Sequence, residues 1–152
     1  MTYTTAEGRQ QILDALGVAA DEIAVALTLL SEAYERLDEQ SAERLEEELF
    51  QPMQAAYGRA KRVYAGFAER YRLPDRTFLT PAPVAPSNDT KGLIDAAVDA
   101  TTQANGVLAE LQDSMLPIEV GDLELRAGLS EVRELVGDLR RHAREVTRTL
   151  GR

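Results

Sequence analysis

Three sets of residues in this chain have the types and spacing to do chemistry. Phe50, Tyr57, Tyr64 and Tyr71 recur every seven residues, which on a helix lines them up as one stripe. Set against the small residues Ala96, Ala97, Ala100, Thr101, Ala104 and Gly106 of a later segment, that stripe has two readings. It is plain core, with large rings filling the space small side chains leave, or it is a slot lined by Tyr57, Tyr64 and Tyr71 that holds an apolar or aromatic ligand. Arg140, Arg144 and Arg148 stand four apart, and like charges at that spacing oppose one another by roughly 0.2–0.5 kcal/mol. A bound anion would relieve them; the plainer reading is a solvated basic helix end. Val18, Val25 and Leu29 form an apolar line amid Asp14, Glu22, Glu32 and Arg36, the layout of an interface with an apolar centre and a charged rim.

Other chemistries lack their parts. The chain has no cysteine and one histidine, His142, so thiol nucleophiles, iron–sulfur ligation, cysteine zinc sites and histidine pairs are excluded. Carboxylate di-metal sites in helical bundles require Glu-x-x-His pairs, and none occurs. Gly128-Leu129-Ser130-Glu131-Val132 lacks the second glycine of a nucleophile elbow and falls mid-helix. No Gly-rich phosphate loop is present. We therefore expect no enzyme and no cofactor. The 26 acidic against 17 basic residues leave a formal charge of −9, which argues against nucleic acid, so the expected partner is another protein or a second copy, as in a homodimer. Ile23 to Leu30, the longest uncharged apolar run, is too short for a bilayer, and the N-terminal residues lack a leader's basic flank. A cytoplasmic location is expected. Arginine outnumbers lysine 15 to 2, a bias suited to a GC-rich bacterial genome.

The elements that must position these residues are helical throughout, because Ala, Leu, Glu and Arg dominate and lose little side-chain freedom in a helix. The first helix is predicted over residues 5–38, opened by the capping pattern Thr4-x-x-Glu7. Its seam is Leu13, Leu16, Ala20, Ile23, Leu27, Leu30, Tyr34 and Leu37, spaced alternately three and four. Val18, Val25 and Leu29 fall opposite that seam. The second helix is predicted over 42–72, with Pro52 either kinking it or starting it, and it must stop before Pro74. Residues 73–87 hold four of the six prolines and form one long loop, tacked down by Phe78, Leu79 and Val84. The third helix, over 88–115, starts under Ser87, Asn88 or Asp89 and carries Ile94, Ala97, Thr101, Ala104, Leu108, Leu111 and Met115 inward. The fourth, over 122–150, is capped by Asp122 and buries Leu125, Leu129, Val132, Val136, Leu139, Ala143, Val146 and Leu150.

Four such helices predict an all-α chain, an antiparallel four-helix bundle in a single domain. Up-down-up-down order is the simpler arrangement. The loop, at about 3.1 Å per residue in extended form, could reach roughly 45 Å, the length of a 30-residue helix, so a crossover with helices 2 and 3 parallel stays open. In the simpler order, residues 32–48 and 110–124, with 13 acids and only Arg36 and Arg44 as bases, would share one strongly negative end. The expected function is accordingly a macromolecular contact made by the outer face of helix 1 or by a charged end. The alternative is a small-molecule sensor or carrier using a slot between helices 2 and 3.

Overall fold

The structure, a computed structural model, describes residues 6–79, 81 and 89–150. Every regular element among them is helical. Helix α1 (Ala6–Glu35) is followed by α2 (Glu39–Leu45), one π-helical turn (Glu46–Phe50) and α3 (Gln51–Arg70), which together make a second continuous rod. The third rod is α4 (Thr90–Asp113); a short α5 (Leu116–Val120) turns the chain; α6 (Leu123–Gly137) and α7 (Leu139–Leu150) form the fourth, interrupted at Asp138. Thr4, Val84, Ser87 and Asn88 lie outside the described residues.

The boundaries follow from local chemistry. Asp38, Asp89 and Asp122 each sit in extended backbone and accept a hydrogen bond from the N–H three residues on, at 2.7, 2.9 and 2.9 Å, so α2, α4 and α6 start under aspartate caps. Helix 1 therefore stops at Glu35 rather than 38, and the second rod starts at Glu39 rather than 42. Helix α3 ends in a left-handed residue, Arg72 (φ 56°), with the Leu73 N–H donating to the Ala68 carbonyl at 2.8 Å; this closes the last turn, and Pro74 prevents its resumption. Pro52 neither starts nor breaks the rod. The π turn directly before it lets the helix run on, since a widened turn absorbs the missing hydrogen bond and the ring's clash with the carbonyl four residues back.

The packing order differs from up-down-up-down. Helix α1 packs on both α3 and α4, α6 also packs on both, and α3 and α4 are not neighbours. The start of α1 meets the end of α3, where the Arg9 guanidinium lies 4.8 Å from the centre of the Tyr71 ring, and Gln11 and Ala15 share a hollow with Glu110, Ser114 and Leu116 at the end of α4. At the other end Arg36, Asp38 and Ser41 share a hollow with Asp89, Thr90, Lys91, Thr147 and Leu150. The second and third rods thus begin at the same end and run parallel, each antiparallel to the other two. Residues 71–79 and Pro81 form a strap along α1 towards that end: Arg76 bonds the Gly17 carbonyl and Asp21, and Pro81 lies beside Thr28. Two consecutive rods that run parallel need a crossover connection, and residues 71–79 and 81 are its described part.

This order also revises the seam of α1. Leu13, Leu16, Ala20, Ile23 and Leu30 are buried as predicted, but so are Ile12, Ala19, Ala26, Leu29 and Ala33, whereas Leu27 is half-buried and Tyr34 exposed. A helix that meets two neighbours buries a wider arc than one heptad seam. A single contiguous apolar cluster joins the inward faces of the four rods, with Phe67, Met53, Leu45, Leu93 and Leu125 among its fully buried members.

Candidate functional site

The apolar line expected on helix 1 is exposed only in part. Val18 and Val25 are 49% and 37% exposed, but Leu29 is 8% exposed and belongs to the core. Its burial is the consequence of the wider arc, so two valines seven residues apart are all that remain of the line.

The tyrosines do not face the small residues of helix 3. Of those residues, Ala97, Ala100, Thr101 and Ala104 are buried, Ala96 is half-buried and Gly106 exposed; all lie on α4, whose principal neighbour is α1. The slot between helices 2 and 3 therefore does not exist, because those rods lie diagonally across the core. Each tyrosine instead has its own partner. Tyr64 is buried and meets the strap's Phe78 edge-on, with ring centres 5.0 Å apart. Arg76 covers the pair, its guanidinium 4.0 Å from the Phe78 ring centre. Burial pushes the Tyr64 phenol up from its ordinary range, against the pull of Arg76. Tyr71 packs on Phe67 at 4.7 Å, and burial, then the neighbouring Asp122, push its phenol up as well. Tyr57, half-buried, carries the Lys61 ammonium 4.3 Å above its ring.

Arg140, Arg144 and Arg148 are exposed along one face of α7, where Arg140 donates to the Thr102 hydroxyl at 3.1 Å. The strongly negative end does not form. Residues 32–48 and 110–124 fall at opposite ends, and each acidic turn has bases beside it. At the first, Lys91 borders the hollow around Asp38, and α7 ends in a basic last turn with Arg148. At the second, Arg70 bonds Asp122 through two nitrogens at 2.8 and 3.0 Å and Glu124 through a third at 3.0 Å. Burial alone would raise the Asp122 carboxyl, but Arg70 and the Leu125 N–H outweigh it and hold the group below its usual value. Asp122 so caps α6 and pins it to the end of α3.

Sequence reasoning missed a group of exposed apolar residues. Met115, predicted inside helix 3, stands just beyond α4 with φ 69°, 49% exposed; Ile118 is 48% and Leu123 73% exposed. Met115 stands at the start of α5 and Ile118 lies within it, and Ile118 and Leu123 line one hollow with Pro117, Arg126 and Leu129. Exposed Asp113 and Glu119 flank this corner. The available signal was that both Ile118 and Leu123 fall outside the helical seams, Ile118 between Pro117 and the cap Asp122 and Leu123 directly after that cap.

Among the described residues no group of three or more His, Asp or Glu side chains is placed to hold a metal ion, and no helix is long and apolar enough to cross a membrane. No protein-family model matches the chain, and neither the curated proteins nor the solved structures compared with it give a match.

Proposed function

We propose that the protein is a non-enzymatic interaction module, a four-helix bundle with a crossover connection, and that it binds a protein partner through the corner formed by Met115, Ile118 and Leu123. The observation that carries this reading is the joint exposure of three large apolar side chains on one short turn, one of them held at positive φ. A side chain in left-handed backbone costs about 1 kcal/mol relative to glycine, and strain of that kind retained in a solvent-facing apolar cluster is characteristic of binding surfaces. The rim carries both signs, with Asp113 and Glu119 exposed beside the corner and Arg126 in the hollow with Ile118 and Leu123, which suits a partner with mixed charges around an apolar anchor. A second copy of the chain is the homodimer version of the same reading.

The test is a double substitution, Ile118→Glu with Leu123→Glu, followed by sedimentation velocity for self-association and by affinity capture from the host for other partners. Loss of an association that the wild type makes, with the melting temperature kept, is the expected result. Met115→Gly should weaken the same association while raising stability by about 0.5–1 kcal/mol, since it relieves the backbone. The reading fails if the double variant keeps every association, or if the wild type makes none.

A further inference from the structure

A second surface, independent of the corner, carries its own inference. Between α1 and α3 runs a groove of about 590 Å³, bordered by Leu27, Thr28, Ser31, Glu32 and Glu35 on one side and Phe50, Gln54, Tyr57, Gly58 and Lys61 on the other, with Pro81 of the strap at its edge. Its volume lies within the range of small-molecule clefts, roughly 300–1,000 Å³.

Two features set this groove apart from imperfect packing. The first is Leu27. It falls in the predicted seam between Ile23 and Leu30, which are fully buried, yet it is only half-buried, and it shares the groove with Gly58 of α3. Glycine inside a helix costs about 1 kcal/mol against alanine, and no close contact demands it here: a Cβ at Gly58 would meet only the flexible tip of Arg62, at 3.4 Å. A side chain at this position would fill the groove, and its absence leaves the wall of Leu27 open. The second feature is Lys61. Its ammonium rests on the face of Tyr57 at 4.3 Å and reaches no carboxylate within ion-pair distance among the described residues. A lysine held on an aromatic face beside an open apolar wall is placed to receive an anion.

The antiparallel course of α1 and α3 gives the groove two unlike ends. Lys61 and Tyr57 lie towards the strap with Thr28 and Pro81, while Glu32 and Glu35 lie towards the π turn with Phe50. Between them the rings of Tyr57 and Phe50, seven residues apart, and the methyls of Leu27 form an apolar bed, and Gln54 and Ser31 supply neutral hydrogen-bonding groups. We infer that this groove is a binding site for an elongated aromatic anion, its acidic group on Lys61, its rings on Tyr57 and Phe50, and an N–H or other donor turned towards Glu32. The ring contacts and the single charge pair are each of a kind that changes affinity by about tenfold when removed.

Anilinonaphthalene sulfonate has that chemistry, with fused rings, one anionic group and one N–H donor, and its fluorescence rises on leaving water. Titrated into the wild type, it should show saturable enhancement. Lys61→Glu and Tyr57→Ala should each weaken binding about tenfold, and Gly58→Phe should abolish it by occupying the groove. Because Gly58→Phe removes no core contact, an unchanged or raised melting temperature with lost binding separates blockage from unfolding. Leu123→Glu, at the distant corner, should bind the dye as the wild type does. The inference is overturned if the wild type shows no saturable enhancement, if Gly58→Phe binds as well as the wild type, or if Leu123→Glu removes the signal while Lys61→Glu does not.

Discussion

Asp122 shows what one residue does in this protein and how far a single sequence reveals it. Its place before Leu123 and Leu125 marks it as a helix cap, because a short acceptor side chain ahead of an apolar helical run answers the first free N–H groups. The Arg70 guanidinium, 52 residues earlier, has no sequence signal as its partner, since which charges meet depends on how the rods are ordered. The pair makes a pH prediction. The folded carboxyl lies below its usual value of 3.8, so its contribution is complete above that value and is lost as pH falls through the lower folded one. Asp122→Asn keeps a capping side chain and removes the charge. It should cost about 1–2 kcal/mol near neutrality, and its deficit against the wild type, measured by denaturant titration, should shrink as pH falls below about 4. A constant deficit would show that the ion pair contributes nothing.

Helix existence was legible at the level of elements, because the three-four rhythm of apolar residues, the aspartate caps and the prolines are all local. What each helix buries was less so. Leu29 joins the core since α1 answers to two neighbours at once, and Met115 leaves its seam because α4 stops at Asp113, two residues early. The π turn before Pro52 is likewise a local solution that residue types alone do not announce. Two elements approach closely at Gly128 of α6, where any Cβ would run into Val63 of α3. Gly128→Ala should therefore destabilise the fold by about 1–3 kcal/mol despite alanine's better helix propensity. Val63→Ala in the same chain should restore much of the loss, because the space it opens takes the added methyl. Equal losses in the single and double variants, read from thermal melts, would reject this close contact.

At the scale of the whole molecule the crossover decides where charge and aromatic groups end up. The strap carries Phe78 onto Tyr64 and Arg76 onto Asp21, replaces the expected slot between helices 2 and 3 with a groove between α1 and α3, and separates the two acidic turns so that each faces bases. Nitroxide labels at Arg36→Cys and Lys91→Cys, in a chain without native cysteine, report the order directly. They should couple at short range, as both positions border one hollow; a separation near a helix length, about 45 Å for 30 residues, would restore the up-down-up-down order. The sequence by itself determined the helical class, the caps and breaks, most core positions and the excluded cysteine and histidine chemistries, because each of these depends on residue type and on spacing within a few turns. The tertiary structure alone decided the rod order, the fate of Leu29 and of the tyrosines, and the exposure of Met115, Ile118 and Leu123. A loop long enough to return or to cross leaves both orders open, and only the summed packing and charge pairing of distant segments chooses between them.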